Sequence, residues 1–263
     1  MYRLSLLLLS LVWSVSGFAT MVNQTVAYSL DGTDYEGVLV YDDAITTPRP
    51  GLLMVPNWYG VNQAAIRKAQ AIAGQDYVIL LADVYGKDLR PANASEAGAA
   101  VGPLLGERPR LRARAQAALA ALRAVKGAPI DPTRIAAIGF CFGGTTVLDL
   151  ARDGADIAAA VSFHGGLSTD DPALARQIKA AVLAMDGADD AATIGDAPAF
   201  REEMRQSPAD WQFVVFGHAV HCFTEVGEDS PNCRYDEKSA RRSDRLMRQW
   251  LEEAFAAGGV SRG

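Results

Sequence analysis

The chain has 263 residues, 49% of them hydrophobic and 21% charged, with a formal net charge of −6. That composition is ordinary for a globular domain with a sizeable core, and it excludes the basic footprint of a nucleic-acid binder. The densest basic stretch, ERPRLRARAQAALAALRAVK, sets Arg among Ala and Leu at helical spacing and reads as the solvated face of a helix.

Residues 1–19 carry the pattern of an export signal. Arg3 supplies the positive start, Leu4 to Val15 the apolar run, and Gly17 and Ala19 the small residues before a cleavage point. Ser5, Ser10 and Ser14 interrupt the run, which is short for a spanning helix. An uncleaved anchor and a start at Met21 are the alternatives. The expected mature protein is exported, periplasmic or secreted, with no membrane attachment.

Next, NQTVAYSLDGTDYEGVLVYD holds two β-prone runs around Asp31-Gly32, a hairpin signal. GLLMVP is a short apolar strand. NQAAIRKAQAIAG is a helix with Asn62 as its N-cap and Gly74 past its end. YVILLADVYG is a strand, and SEAGAAVG and PRLRARAQAALAALRAVKG are helices. RIAAIGF is a strand that leads into a helix from about Gly143 to Asp153. IAAAVSF, AAVLAMD and WQFVVF are further strands. PAFREEMRQ and DEKSARRSDRLMRQWLEEAF are amphipathic helices. Short strands that are apolar throughout, alternating with helices, predict an α/β fold: a mainly parallel central sheet covered on both faces, preceded by a hairpin. No repeat or linker interrupts it, so residues 22–256 are expected to form one domain. Ligands of such sheets bind at the carboxyl ends of the strands.

Cys141 stands at one such end, in Gly139-Phe140-Cys141-Phe142-Gly143. This G-x-C-x-G is the cysteine form of the nucleophile elbow. A tight strand-to-helix turn pushes the side chain out of the sheet, and the flanking positions approach too closely for side chains. The following helix aims its N-terminus at the sulfur, favouring thiolate, and the Phe142 N–H is placed to donate to an oxyanion. The competing reading of the same pattern is a small buried cysteine beside tight glycine packing. An elbow nucleophile takes its acid and then its base from later loops. AMDGADDAA and FGHAVHCFTE supply both in that order, with Asp186, Asp189 and Asp190 as acids and His218 and His221 as bases.

Three cysteines in an exported chain suggest one pair and one free thiol. Cys222 and Cys233 lie 11 apart in a stretch rich in Gly, Asp, Ser and Pro, so a Cys222–Cys233 disulfide is expected.

In VPNWYGVN, LLADVYG, IAAIGFCFGG, AAVSFHGG, MDGADD, AVHCFT and the closing YDEKSARRSDRLMRQWLEEAF, the chain resembles the dienelactone hydrolase family of α/β-hydrolases along nearly its whole mature length. The resemblance implies the α/β-hydrolase fold and hydrolysis of a small ester or lactone without a metal or other cofactor. By position it makes Cys141 the nucleophile, Asp189 the acid and His221 the base, with the Trp58 N–H as second oxyanion donor. It puts Asn57 and Lys87 near the substrate. By their own places, Tyr59 in the same loop and His164 at a strand end are further candidates to line the pocket, although Tyr59 also reads as ordinary packing and His164 as a core histidine. The chain departs from the family at two positions. Asn57 stands where a glutamate holds the resting thiol, and Glu225 where a cation would hold a substrate carboxylate. That reversal disfavours an anionic dienelactone. A metal site on His218 and His221, a thiol-redox protein and a non-catalytic binding protein are the rival readings. The small-molecule partner's identity and the oligomeric state stay open, as does glycosylation at the Asn23 and Asn93 sequons.

Overall fold

The computed structural model describes residues 21–260, so the expected export signal at 1–19 lies outside the described residues. Strands β1 (Met21–Leu30) and β2 (Thr33–Asp42) pair antiparallel through Asp31 and Gly32, both at positive φ (49° and 76°). Such a two-residue turn matches the right-handed twist of the strands it joins.

After β3 (Arg49–Val55) come α1 (Gln63–Ala73), β4 (Val78–Leu81), α2 (Ala94–Gly106) and α3 (Arg108–Ala124). Asn62 caps α1 by accepting the Ala65 N–H at 2.9 Å, and Gly74 closes it at φ 43°. The rest is β5 (Ile130–Phe140), α4 (Phe142–Arg152), β6 (Ala159–Phe163), β7 (Ala181–Gly187), α5 (Ala197–Arg205), β8 (Trp211–Phe216) and α6 (Glu237–Val260). The eight strands run in the order β1-β2-β4-β3-β5-β6-β7-β8, and every pair from β4 onward is parallel.

Alternation along each buried strand gives the sheet two apolar faces. Leu53, Val55, Leu80 and Ala137 pack with Leu111, Leu119, Val147 and Phe200 on the side of α2 to α5. Leu52, Met54, Ile79 and Ile138 pack with Ala69, Met247 and Leu251 on the side of α1 and α6. Arg152, at the end of α4, is buried and holds Glu203 of α5 by paired bonds of 2.7 and 2.8 Å. The order reverses between β3 and β5, where Val55 lies beside Gly139. A crevice opens at the carboxyl ends of strands at such a reversal.

Candidate active site

The elbow follows from backbone crowding. Cys141 sits at φ 54°, ψ −120°, a strained setting for a residue with a side chain, and caps the N-terminus of α4. A Cβ on Gly139 would lie 2.1 Å from the Gly143 carbonyl oxygen, and one on Gly143 would lie 2.1 Å from that of Val55. Neither backbone can yield, so both positions must be glycine if β3, β5 and α4 are to meet. The half-buried sulfur then faces the loops after β7 and β8.

His221, in the loop after β8, has its Nε2 3.1 Å from the Cys141 Sγ and its Nδ1 2.7 Å from the Asp190 Oδ2. The acid beside the imidazole is therefore Asp190, and the expectation for Asp189 is corrected. Asp189 is mostly exposed, with its carboxylate 3.9 Å from the fully exposed His218. The cause is a close approach of two loops. A Cβ on Gly187 would lie 2.2 Å from the Ala219 carbonyl oxygen, and the Asp189 N–H donates to that oxygen at 3.0 Å. This contact turns residue 189 outward and residue 190 inward. Asp190 is then held by the Ala192 N–H, donated to its Oδ1 at 3.0 Å. Both nitrogens of His221 are thus engaged, one by the carboxylate and one by the sulfur.

The electrostatics are those of a coupled acid–base pair. Burial alone would lower the pKa of His221, but its hydrogen bonds to Asp190 and to the neighbouring sulfur outweigh that and lift the pKa to about 10. Burial raises Asp190, yet its bond to His221 holds the carboxyl below the usual range. Asp186, at the end of β7, is buried with neither carboxylate oxygen hydrogen-bonded; burial and then the charge of Asp190 push it up to about 7.

Above the sulfur lies the loop after β3. The Asn57 Oδ1 accepts the Tyr59 N–H at 3.1 Å and the Asn57 carbonyl accepts the Gly60 N–H at 2.9 Å, so neither bond uses the Trp58 N–H. The Tyr85 hydroxyl donates to the Trp58 carbonyl at 2.8 Å, and its ring stacks on Phe142 at 5.7 Å. Tyr85 thus ties together the two residues expected to supply the oxyanion N–H groups. Phe142 opens α4, and first-turn N–H groups lack partners within a helix. Tyr59 packs edge-on against Trp58 at 5.5 Å.

Two expected substrate residues are placed elsewhere. Lys87 is bonded to Asp34 at 2.8 Å on the exposed side of the hairpin, where its ammonium is already occupied. His164 is fully buried at φ 40°, bonded through Nε2 to the Thr224 hydroxyl at 2.8 Å and packed against His221 and Phe223. Burial, then the charges of His221 and Lys68, hold its pKa well below the ordinary value. It is a core residue behind the imidazole, the other reading of its sequence. Glu225 does occupy the site's edge, but Lys68 of α1 forms an ion pair with it. Neither Lys68 nor Tyr85 was singled out from the sequence, since a lysine in an amphipathic helix reads as solvated and a tyrosine in a strand end as packing.

Cys222 and Cys233 are bonded, with Cα atoms 4.9 Å apart. The bridge directly follows His221, whose carbonyl accepts the Arg234 N–H at 3.0 Å, so both sides of this loop are pinned.

Comparison with known proteins agrees with the fold. The family model described as the dienelactone hydrolase family matches residues 36–255. An uncharacterized protein of Caenorhabditis elegans is 35% identical over 153 residues, covering 56% of this chain and 96% of that protein. Among solved structures, a dienelactone hydrolase-like promiscuous phosphotriesterase from metagenomic libraries is 35% identical with a TM-score of 0.83, over 90% of this chain and 99% of that one. A structure named m3DLH matches at 35% identity and a TM-score of 0.83, over 89% of this chain and 99% of its own.

Proposed function

The chain belongs to the dienelactone hydrolase family of ester and lactone hydrolases, with the α/β-hydrolase fold, and from that premise we propose that it cleaves a small, uncharged ester or lactone through Cys141, His221 and Asp190. The observation that carries the reading is the continuous link from sulfur to imidazole to carboxylate, at 3.1 and 2.7 Å, on an elbow that tolerates only glycine at its flanks.

His221 takes the thiol proton on Nε2, and Asp190 fixes the tautomer and stabilises the imidazolium. The sulfur attacks the carbonyl carbon, and its oxygen gains negative charge opposite the N–H groups of Phe142 and Trp58. As the tetrahedral species collapses, the C–O bond breaks and imidazolium returns its proton to the leaving oxygen, leaving a thioester on Cys141. His221 then removes a proton from water, hydroxide attacks the thioester, and thiol and carboxylic acid are released. Neither Lys87, paired with Asp34, nor Lys68, paired with Glu225, is free to hold a substrate carboxylate. That balance supports neutral substrates.

A second substrate class, neutral phosphotriesters, is favoured by the solved relative of that name, which the chain covers almost entirely. The disulfide supports an exported protein, because such bonds persist in oxidising compartments. A panel of p-nitrophenyl esters, lactones and a dialkyl p-nitrophenyl phosphate, assayed with wild type and Cys141→Ala, tests the proposal. Turnover abolished by the substitution supports it. Turnover that survives excludes the sulfur, and no turnover of any substrate favours a binding protein on this fold.

A further inference from the structure

The mechanism leaves one largely buried lysine beside the elbow without a task. Lys68, in the middle of α1, has a side chain only 20% exposed, with its ammonium 4.1 Å from the centre of the Phe140 ring, next to Cys141. Taking a lysine out of water is costly unless its charge is paired. Its partner Glu225 is 13% exposed and comes from the loop that carries His221. The second carboxylate oxygen of Glu225 accepts from the Asn57 Nδ2 at 3.1 Å. Asn57 in turn accepts the Tyr59 N–H, across the peptide that presents Trp58. Thr224 completes the cluster, with its hydroxyl 3.4 Å from the Lys68 ammonium and 2.8 Å from His164.

We propose that the Lys68–Glu225 ion pair is a positioning device that holds the Asn57–Tyr59 loop, and so the Trp58 N–H, over the carbonyl oxygen that develops charge when Cys141 attacks. The inference rests on the Cys141 reading above. Its physical basis is the geometry of the link. Asn57 has one amide, and the two ends of that amide are fixed by Glu225 and by the backbone two residues on. Glu225 without Lys68 would be a half-buried, unneutralised carboxylate and would turn toward water, releasing Asn57. The pair also explains a reversed charge at this edge of the site: Glu225 serves the loop from within, so it presents no net charge to the substrate.

The test separates positioning from thiol activation. Attack on a p-nitrophenyl ester needs the oxyanion donor, whereas alkylation of Cys141 by iodoacetamide does not. Lys68→Met and Asn57→Ser are each expected to lower kcat on p-nitrophenyl acetate by roughly 10- to 100-fold, less than the ~10²–10³ lost when an oxyanion donor is removed outright. KM and the alkylation rate should stay within about 2-fold, Lys68→Arg should recover most of the kcat, and the double variant should be no worse than the poorer single one, since both cut one link. If Lys68→Met does not fold, Lys68→Met with Glu225→Gln, which leaves no buried charge, replaces it beside Asn57→Ser. Unchanged kcat overturns the proposal, as does a parallel fall in alkylation or additivity in the double variant. Wild-type turnover that Cys141→Ala does not remove overturns the Cys141 reading itself, whereas loss in Cys141→Ala with unchanged kcat in Lys68→Met sinks only the positioning role.

Discussion

Replacing Asp190 by Asn, with Asp189→Asn beside it, separates two adjacent carboxylates that the sequence does not distinguish. The Asp190 Oδ2 is 2.7 Å from the His221 Nδ1. Raising His221 from 6.5 to about 10 corresponds to roughly 5 kcal/mol in favour of imidazolium. The sulfur and the carboxylate share that effect. If half belongs to Asp190, its loss is about 2–3 kcal/mol, or on the order of 10²-fold in rate. An asparagine amide donating to Nδ1 would also leave the proton on Nε2, so the ring could not accept one from Cys141. The analogous change in a serine triad costs ~10⁴, and the expected loss in kcat for Asp190→Asn therefore lies between ~10² and ~10⁴. Asp189→Asn should stay within about 2-fold, because its exposed carboxylate faces only His218. Initial rates on p-nitrophenyl acetate, with circular dichroism to confirm folding, measure both. A large loss in Asp189→Asn and a small one in Asp190→Asn would refute the reasoning.

Gly143→Ala should lose at least about 3 kcal/mol of stability, seen as a Tm lower by roughly 6–12 °C or as insoluble protein, since the new Cβ meets two backbone oxygens; a wild-type Tm would contradict the elbow geometry. Cys233→Ser opens the loop closed by the 11-residue separation, and the expected cost is about 3 kcal/mol in urea unfolding under non-reducing conditions; equal stability of the two proteins would show that the bridge does not constrain the chain. Asp186 binds its proton more tightly folded than unfolded, with a pKa of about 7 against an ordinary 3.8. Its contribution to stability is thus fully present below about pH 4 and is lost as pH rises to 7. Asp186→Asn should remove that decline and stabilise the protein at pH 8 by up to roughly 4 kcal/mol, read from urea midpoints at pH 5 and pH 8; a steeper fall with pH in the variant would contradict it.

The fold was legible because its signals are local. Asp31-Gly32 closes a hairpin with two positive φ angles, Asn62 and Gly74 bracket α1, and uniformly apolar strands betray a sheet covered on both faces. The elbow could be read for the same reason, its constraint lying within five consecutive residues. Asp190 could not be told from Asp189 because the choice depends on Gly187 meeting Ala219 from another loop, a contact between segments about thirty residues apart. Lys87 was assigned by position to the substrate, yet a cation on an exposed loop pairs with whichever carboxylate the hairpin brings near, here Asp34. Lys68 was hidden by its place in an amphipathic helix, where only the fold shows that its face meets Glu225 rather than water.

The central claim is a covalent acyl group on one sulfur. Intact-mass spectrometry of acid-quenched enzyme after mixing with p-nitrophenyl acetate should show one added acetyl group, mapped by peptide analysis to Cys141. Cys141→Ala should show no adduct and no turnover. Turnover by the wild-type enzyme without any adduct on Cys141, or an adduct on another residue that forms and decays at the catalytic rate, would contradict the account.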